Sequence, residues 1–222
     1  MKRLTALVTG GSRGIGEAIS QKLEASSIRV FAPKRSELDL SSSSSIETFL
    51  AAFKEPVDIL INNAGINLLA DCNDSTNEVF QQTLQINLLA PLQLIRSIAP
   101  SMAQRRFGRI VNISSIWSTI TKPRRLPYTT SKSALNGLTR AIAIEFAPYN
   151  VIVNAVAPGY VDTELTRQNN SPEEIDIIRQ SIPVRRLAEP SEIAEVVEFL
   201  CSTRNTYICG QVIFVDGGYT CQ

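Results

Sequence analysis

Tyr128 and Lys132 stand four residues apart in the pentapeptide YTTSK, in a chain of 222 residues that contains no histidine. On a helix that spacing places both side chains on one face, where an ammonium can act on a phenol. A free tyrosine titrates near pH 10 and is a poor proton carrier at neutrality, but nearby positive charge favours the phenolate. Bringing it to about 7 takes roughly 4 kcal/mol, which two close positive charges in a partly desolvated cleft can supply. The pair is a candidate acid-base device that dispenses with imidazole. Tyr and Lys also meet at this spacing by chance, so the pair gains weight only from partners.

Partners come from the run T-G-G-S-R-G-I-G at 9 to 16. Gly10, Gly14 and Gly16 let the backbone turn tightly between an apolar run and a helical window. A pyrophosphate can then approach the free N–H groups and positive dipole at the helix start. Such a turn ordinarily declares its dinucleotide at the end of the second strand, where a carboxylate receives the 2'-hydroxyl of NAD. Here that stretch is FAPKRS, with Lys34 and Arg35 and no carboxylate, while Arg13 lies in the glycine turn. Guanidinium groups suit a 2'-phosphate, so the corner reads as built for NADP(H). The alternative is that Lys34 and Arg35 are solvated loop charges.

The elements that must position these residues follow from hydrophobic period. Short runs rich in Val and Ile, at Leu4 to Val8, Ile28 to Ala32, Val57 to Ile61, Arg109 to Ile113, Val151 to Ala155 and Val212 to Val215, read as strands. They alternate with helical windows at Gly14 to Ala25, Ile46 to Phe53, Asn77 to Arg105, Tyr128 to Phe146 and Ser191 to Cys201. The pattern predicts an α/β fold, a doubly wound parallel sheet of the Rossmann type in a single domain spanning 1–222. The SSSSS run at 41 to 45 is expected to cap the helix that follows. One connection is too short: only Pro33 to Ser36 separate the second strand from ELDL at 37 to 40, where a parallel crossover needs a dozen residues or more. Either ELDL is not a neighbouring strand, or bare loop crosses that edge.

Composition sets the outer bounds. With 44% apolar residues the chain can bury one ordinary core, and a net charge of +1 gives no general reason to expect nucleic acid or an anionic membrane as partner. MKRLTALV is too short an apolar run for a signal peptide, and no stretch has the length of a membrane helix. Cys72, Cys201, Cys209 and Cys221 show no metal-binding spacing, so no metal is expected, and they fit a reducing, cytoplasmic setting. Without histidine a Ser-His-Asp hydrolase is excluded.

These motifs, together with NNAG at 62 to 65, Asn87, NISS at 112 to 115 and PGYVDT at 158 to 163, resemble the short-chain dehydrogenase/reductase family in content, order and spacing. The likeness includes the thirteen residues from Ser115 to Tyr128 and runs from Leu4 to VDGGYT at 215 to 220. It implies that Tyr128 is the proton donor in carbonyl reduction and that Lys132 tunes it and holds the nicotinamide ribose. Ser115 would hydrogen-bond the substrate oxygen, and Asn87 would anchor a water leading protons towards Lys132. For the nucleotide it implies Ser12 and Ile15 beside the glycines, Asp39 and Leu40 near the adenine, and Asn63, Ala64 and Gly65 under the ribose. Val161 and Thr163 would meet the carboxamide.

The segment from 159 to 190 corresponds to the family's substrate loop, with short helices expected at 163–169 and 172–181. The C-terminal half is most similar to 3-oxoacyl-[acyl-carrier-protein] reductases, which implies an acyl thioester substrate and an acyl carrier protein as possible partner. Arg106 occupies one of that branch's two basic docking positions, and Tyr149 stands at the other. Alternatives are an alcohol, sugar or polyol dehydrogenase of the same family, or a non-catalytic NADP-binding sensor. Trp117 and the basic turn KPRR at 122 to 125 are candidates for the pocket mouth, though Trp117 could be core and the turn merely solvated. Leu88, Leu89, Leu92, Ile95, Leu135, Leu138 and Ile142 give the two long helices more apolar surface than one sheet contact uses. The family pairs these helices across a two-fold axis, so a dimer or, as the fuller expectation, a homotetramer is implied.

Overall fold

The structure, a computed structural model, describes residues 3–222. Six strands, β1 (Thr5–Val8), β2 (Arg29–Phe31), β3 (Ile59–Asn62), β4 (Gly108–Ile113), β5 (Val151–Pro158) and β6 (Val212–Val215), form one parallel sheet in the order β2-β1-β3-β4-β5-β6. Both faces of the central strands are buried, which is why their sequences are mainly apolar, with Thr5, Asn62, Arg109, Asn112 and Asn154 buried among the apolar residues.

Helices α1 (Gly14–Ala25), α2 (Ser43–Ala52), α3 (Asn77–Leu84), α4 (Ala90–Gln104), α5 (Leu126–Phe146), α6 (Glu164–Gln168), α7 (Pro172–Ser181) and α8 (Pro190–Cys201) make the crossovers and cover the sheet. The alternation of side chains along each strand divides the core in two. Leu7, Leu60 and Ile110 face Ile46, Leu94, Ile95 and Met102 of α2 and α4. Ala6, Val8, Ile59 and Ile61 face Ile19 and Leu23 of α1 and Ile193 and Val197 of α8. The order reverses at β1, with β2 on one side and β3 on the other, so the crevice beyond their carboxyl ends is where such a sheet binds ligands.

One open alternative is decided and two expectations are revised. ELDL forms no strand: it is a turn that sends Leu38 and Leu40 into the core, so β2 remains the edge of the sheet and the short connection crosses nothing. The long helix expected over 77–105 is α3 and α4 joined by one π-helical turn, Gln85–Leu89. Ile95, Leu135 and Ile142 lie buried within the chain, which leaves Leu89 exposed and Leu88, Leu92 and Leu138 half-buried as the apolar surface of those helices. Elsewhere boundaries moved by a few residues, and Ser42 of the serine run caps α2 by accepting from the Ser45 amide at 3.2 Å. Among the described residues no helix is long and apolar enough to cross a membrane.

Candidate active site

The chain leaves β1 through Thr9 and turns into α1. Gly10 and Gly14 sit at φ of +64° and +55°, where a side chain would be strained. A Cβ on Gly16 would lie 2.1 Å from the Gly10 carbonyl oxygen and 2.4 Å from Asn63 Nδ2, so only glycine lets the first turn of α1 settle there. Asn63 Nδ2 in turn donates to the carbonyls of Thr9 and Gly10, both at 3.0 Å, and Thr9 Oγ1 accepts from the amides of Asn63 and Ala64 at 3.0 and 3.1 Å. The Arg13 side chain does not cap α1. Its first N–H groups are thus without a side-chain acceptor at the cleft, the arrangement a phosphate completes. Gly16→Ala is expected to push α1 off this seat, weakening nucleotide binding at least tenfold and costing about 1–3 kcal/mol of stability. Nucleotide fluorescence titration and thermal melting read both, and unchanged affinity would remove the turn from the binding site.

β4 delivers Ser114 and Ser115 to the same cleft, and α5 delivers Tyr128 and Lys132. A chain of buried hydrogen bonds fixes their relative position: Asn62 Nδ2 to Asn112 Oδ1 (2.8 Å), Asn112 Nδ2 to Thr139 Oγ1 (2.9 Å) and Ser114 Oγ to Asn136 Oδ1 (2.7 Å). Lys132, almost fully buried, donates from Nζ to the Ile113 carbonyl at 2.7 Å and lies 5.6 Å from the Tyr128 ring centre. Burial pushes its ammonium down to about 8.

The Tyr128 phenol is raised above its usual value by burial, while a hydrogen bond with Ser115 and the charge of Arg125 pull it the other way. Without nucleotide the balance is therefore opposite to the lowering expected from Lys132. Desolvation outweighs the positive charge, and the ring is left a protonated donor.

Asn87 lies behind the cleft wall on the π-helical turn. Both of its amide hydrogens are used, with Nδ2 donating to the Ile66 carbonyl at 2.9 Å and to Ser131 Oγ at 3.0 Å, while Oδ1 accepts from the Ile66 amide at 2.9 Å. Gly65 sits in front of it, where a Cβ would come within 3.2 Å of Asn87 Oδ1. Every other predicted catalytic or nucleotide-binding residue lines a single cleft of about 430 Å3, including Ser12, Ile15, Arg35, Asp39, Leu40, Val161 and Thr163, whereas Arg106 and Tyr149 lie outside it.

Two features of the cleft were not expected. Arg13 is ion-paired with Glu164 of α6, and Arg35 lies 3.6 Å from Asp39. Asp39 also accepts from the Ser41 amide and hydroxyl at 2.9 and 2.7 Å, which holds its carboxyl below the usual range. Trp117 and Tyr160 of the cleft wall meet edge to face at 6.0 Å between ring centres, and Tyr219 packs edge to face on Tyr160 at 5.5 Å. Of the KPRR turn, Arg125 meets the expectation of a pocket-lining residue and is buried in the cleft, while Lys122, Pro123 and Arg124 lie outside its lining. Among the described residues no group of acids and cysteines could hold a metal ion.

A family model described as Enoyl-(Acyl carrier protein) reductase matches residues 17–220. The chain is 36% identical over 227 residues to the 3-oxoacyl-[acyl-carrier-protein] reductase MabA of Mycobacterium tuberculosis, covering 96% of this chain and 92% of that protein. It is 37% identical over 235 residues to the acetoacetyl-CoA reductase of Shinella zoogloeoides, covering 96% and 97%. The solved structure of a 4-hydroxyisoleucine dehydrogenase complexed with NADH superposes with a TM-score of 0.93 at 30% identity, over 99% of this chain and 100% of that one. Likeness of this extent, on a fold that seats the glycine turn against the tyrosine helix, establishes that the chain belongs to the short-chain dehydrogenase/reductase family of NAD(P)-dependent oxidoreductases.

Proposed function

We propose that the protein is an NADPH-dependent carbonyl reductase acting on a 3-oxoacyl thioester. The observation that carries this reading is the meeting of Ser115, Tyr128 and Lys132 in one cleft with an uncapped helix N-terminus. The relatives named for 3-oxoacyl-carrier-protein and acetoacetyl-CoA reduction support the substrate class. The nicotinamide supplies the hydride when bound. Tyr128 donates the proton to the ketone oxygen, a task suited to a phenol that burial keeps protonated. Ser115 hydrogen-bonds the same oxygen and orients it. Lys132 holds the ribose and restores the proton. Both Asn87 amide hydrogens are already used, so the water it anchors takes no hydrogen bond from this side chain and meets its main chain, where the π-helical turn widens the hydrogen-bond ladder. The short helices α6 and α7 within 159–190 form the loop over the substrate.

The test is a panel of NADPH-oxidation rates with acetoacetyl-CoA, simple ketones, sugars and polyols. A kcat/KM for acetoacetyl-CoA at least tenfold above the rest supports the reading. The reverse order supports the second reading, a sugar or polyol dehydrogenase, which Tyr149 favours by standing where the carrier-protein branch has a basic residue. Docking of an acyl carrier protein rests on Arg106, which is exposed and donates to the Pro148 carbonyl at 3.3 Å. The protein acts in the cytoplasm on this reading.

The Lys132 value gives a pH expectation. Its ammonium is present in the free enzyme below about 8 and is lost as the pH rises through that value. A neutral amine holds the ribose less well, so kcat/KM for NADPH is expected to be level near pH 7 and to fall above about 8. A profile level to pH 9.5 would remove Lys132 from nucleotide capture. For assembly, exposed Leu89 with half-buried Leu88, Leu92 and Leu138 supports pairing of α4 and α5 across a two-fold axis into a homotetramer. Light scattering is expected to give a tetramer at micromolar concentration, and a monomer would overturn the pairing.

A further inference from the structure

Arg125 is the last residue before α5, yet its side chain does not cap that helix. It is only 3% exposed and lines the cleft that holds Tyr128. Its Nε is buried without a hydrogen-bond partner. No carboxylate pairs with it among the described residues, and Asp71 pairs with the neighbouring Arg124 instead, at 3.9 Å. The side chain is held from one side by Trp117, whose ring centre is 5.5 Å from its Cζ, and it feels the phenols of Tyr160 and Tyr128. The other cation near that indole, Lys122, adds positive charge. Burying a guanidinium that no carboxylate pairs costs several kcal/mol, which the contact with Trp117 offsets only in part. A cationic fork with open donors, fixed against an aromatic wall in a substrate cleft, is complementary to a planar anion.

We propose that Arg125 anchors a carboxylate on the substrate, so that the enzyme prefers oxo acids, or oxoacyl chains bearing a free carboxylate, to neutral ketones. The proposal rests on the reading of Tyr128 as proton donor. Position limits the anion. Arg125 immediately precedes the helix whose first turn carries Tyr128, and its charge reaches the Tyr128 phenol, so the two side chains end in the same part of the cleft. The carboxylate must therefore lie within a few bonds of the carbonyl that Tyr128 protonates. A phosphate at the far end of a pantetheine arm does not meet this requirement. With the ketone oxygen on Tyr128 and Ser115 and the carboxylate on Arg125, the substrate is held at two points, which orients the carbonyl face.

The test uses matched pairs: acetoacetate, 4-oxopentanoate and 5-oxohexanoate, each beside its methyl ester. In the wild-type enzyme with NADPH, at least one acid is expected to exceed its ester by tenfold or more in kcat/KM. Arg125→Gln is expected to lower kcat/KM for that acid at least tenfold more than for its ester, with the difference carried mainly by KM. Arg125→Lys is expected to recover part of the loss. Acids and esters of equal efficiency in the wild type would overturn the proposal without using any variant, as would an equal loss for both in Arg125→Gln. Calorimetric binding of the same pairs to NADP+-loaded protein separates this from failure of the reductase reading. If no ketone is turned over, tighter binding of an acid than of its ester, lost in Arg125→Gln, still supports the anchor, and equal binding overturns it.

Discussion

Tyr128→Phe is expected to leave the fold and nucleotide binding intact while lowering turnover about a hundredfold or more. The substitution removes one hydroxyl and keeps the ring, so packing around α5 is preserved and the loss reads as chemistry. General acid-base catalysis contributes roughly 10²–10⁴-fold, and no imidazole exists in the chain to substitute for the phenol. Ser115 is the other hydroxyl at the substrate oxygen, but a free serine does not surrender a proton at neutral pH. Its residual contribution is orientation. Direct binding of NADPH should be unchanged, because the groups at the glycine turn do not involve the phenol. Lys132→Met should differ in kind: it removes the ammonium that donates to the Ile113 carbonyl, so turnover and nucleotide affinity both fall. A Tyr128→Phe enzyme with more than a tenth of wild-type kcat would falsify the assignment.

Much of this site was legible in the sequence because its parts are local. The glycine turn is specified by a few consecutive residues whose backbone needs exclude other side chains, and Tyr128 with Lys132 share one helix face by spacing alone. The strands were legible for a similar reason, since a sheet buried on both faces writes itself as short runs dominated by Val, Ile, Leu and Ala. What stayed hidden depends on residues far apart in the chain. The pairing of Arg13 with Glu164 spans 151 residues. The burial of Arg125 depends on Trp117 and Tyr160 arriving from β4 and β5, so KPRR reads equally well as a solvated turn until those rings are placed. The direction of the Tyr128 shift is hidden too, because spacing reveals the nearby ammonium and says nothing of how much solvent the fold removes. The π-helical turn at Asn87 is a middle case: the polar residue among apolar neighbours was visible, but the widened turn follows from its amide bonding the Ile66 backbone.

The wild-type enzyme is expected to prefer NADPH to NADH by about a hundredfold in kcat/KM, and Arg35→Asp to erase most of that preference. Arg13 and Arg35 both line the cleft, twenty-two residues apart in sequence, and β2 ends without a carboxylate to receive a free 2'-hydroxyl. A charge-assisted contact from one guanidinium contributes about 1.5–3 kcal/mol. The gross preference from two is thus roughly 3–6 kcal/mol. Two features reduce it. The side chains are 70% and 78% exposed, and each already faces a carboxylate, Glu164 and Asp39 respectively. Exposed ion pairs are worth at most about 1 kcal/mol each, so exchanging them for a phosphate leaves a net near 3 kcal/mol, or about a hundredfold. Asp39 is further committed to Ser41, and its carboxyl stays ionised whether or not Arg35 leaves it. In Arg35→Asp the new carboxylate repels the 2'-phosphate and accepts the ribose hydroxyl, so NADH use should rise slightly as NADPH use falls. Raising the salt concentration should narrow the wild-type preference, because contacts this exposed are screened. A wild-type enzyme that used both nucleotides equally at low salt would return Lys34 and Arg35 to ordinary surface charge and leave the FAPKRS corner without a role in nucleotide choice.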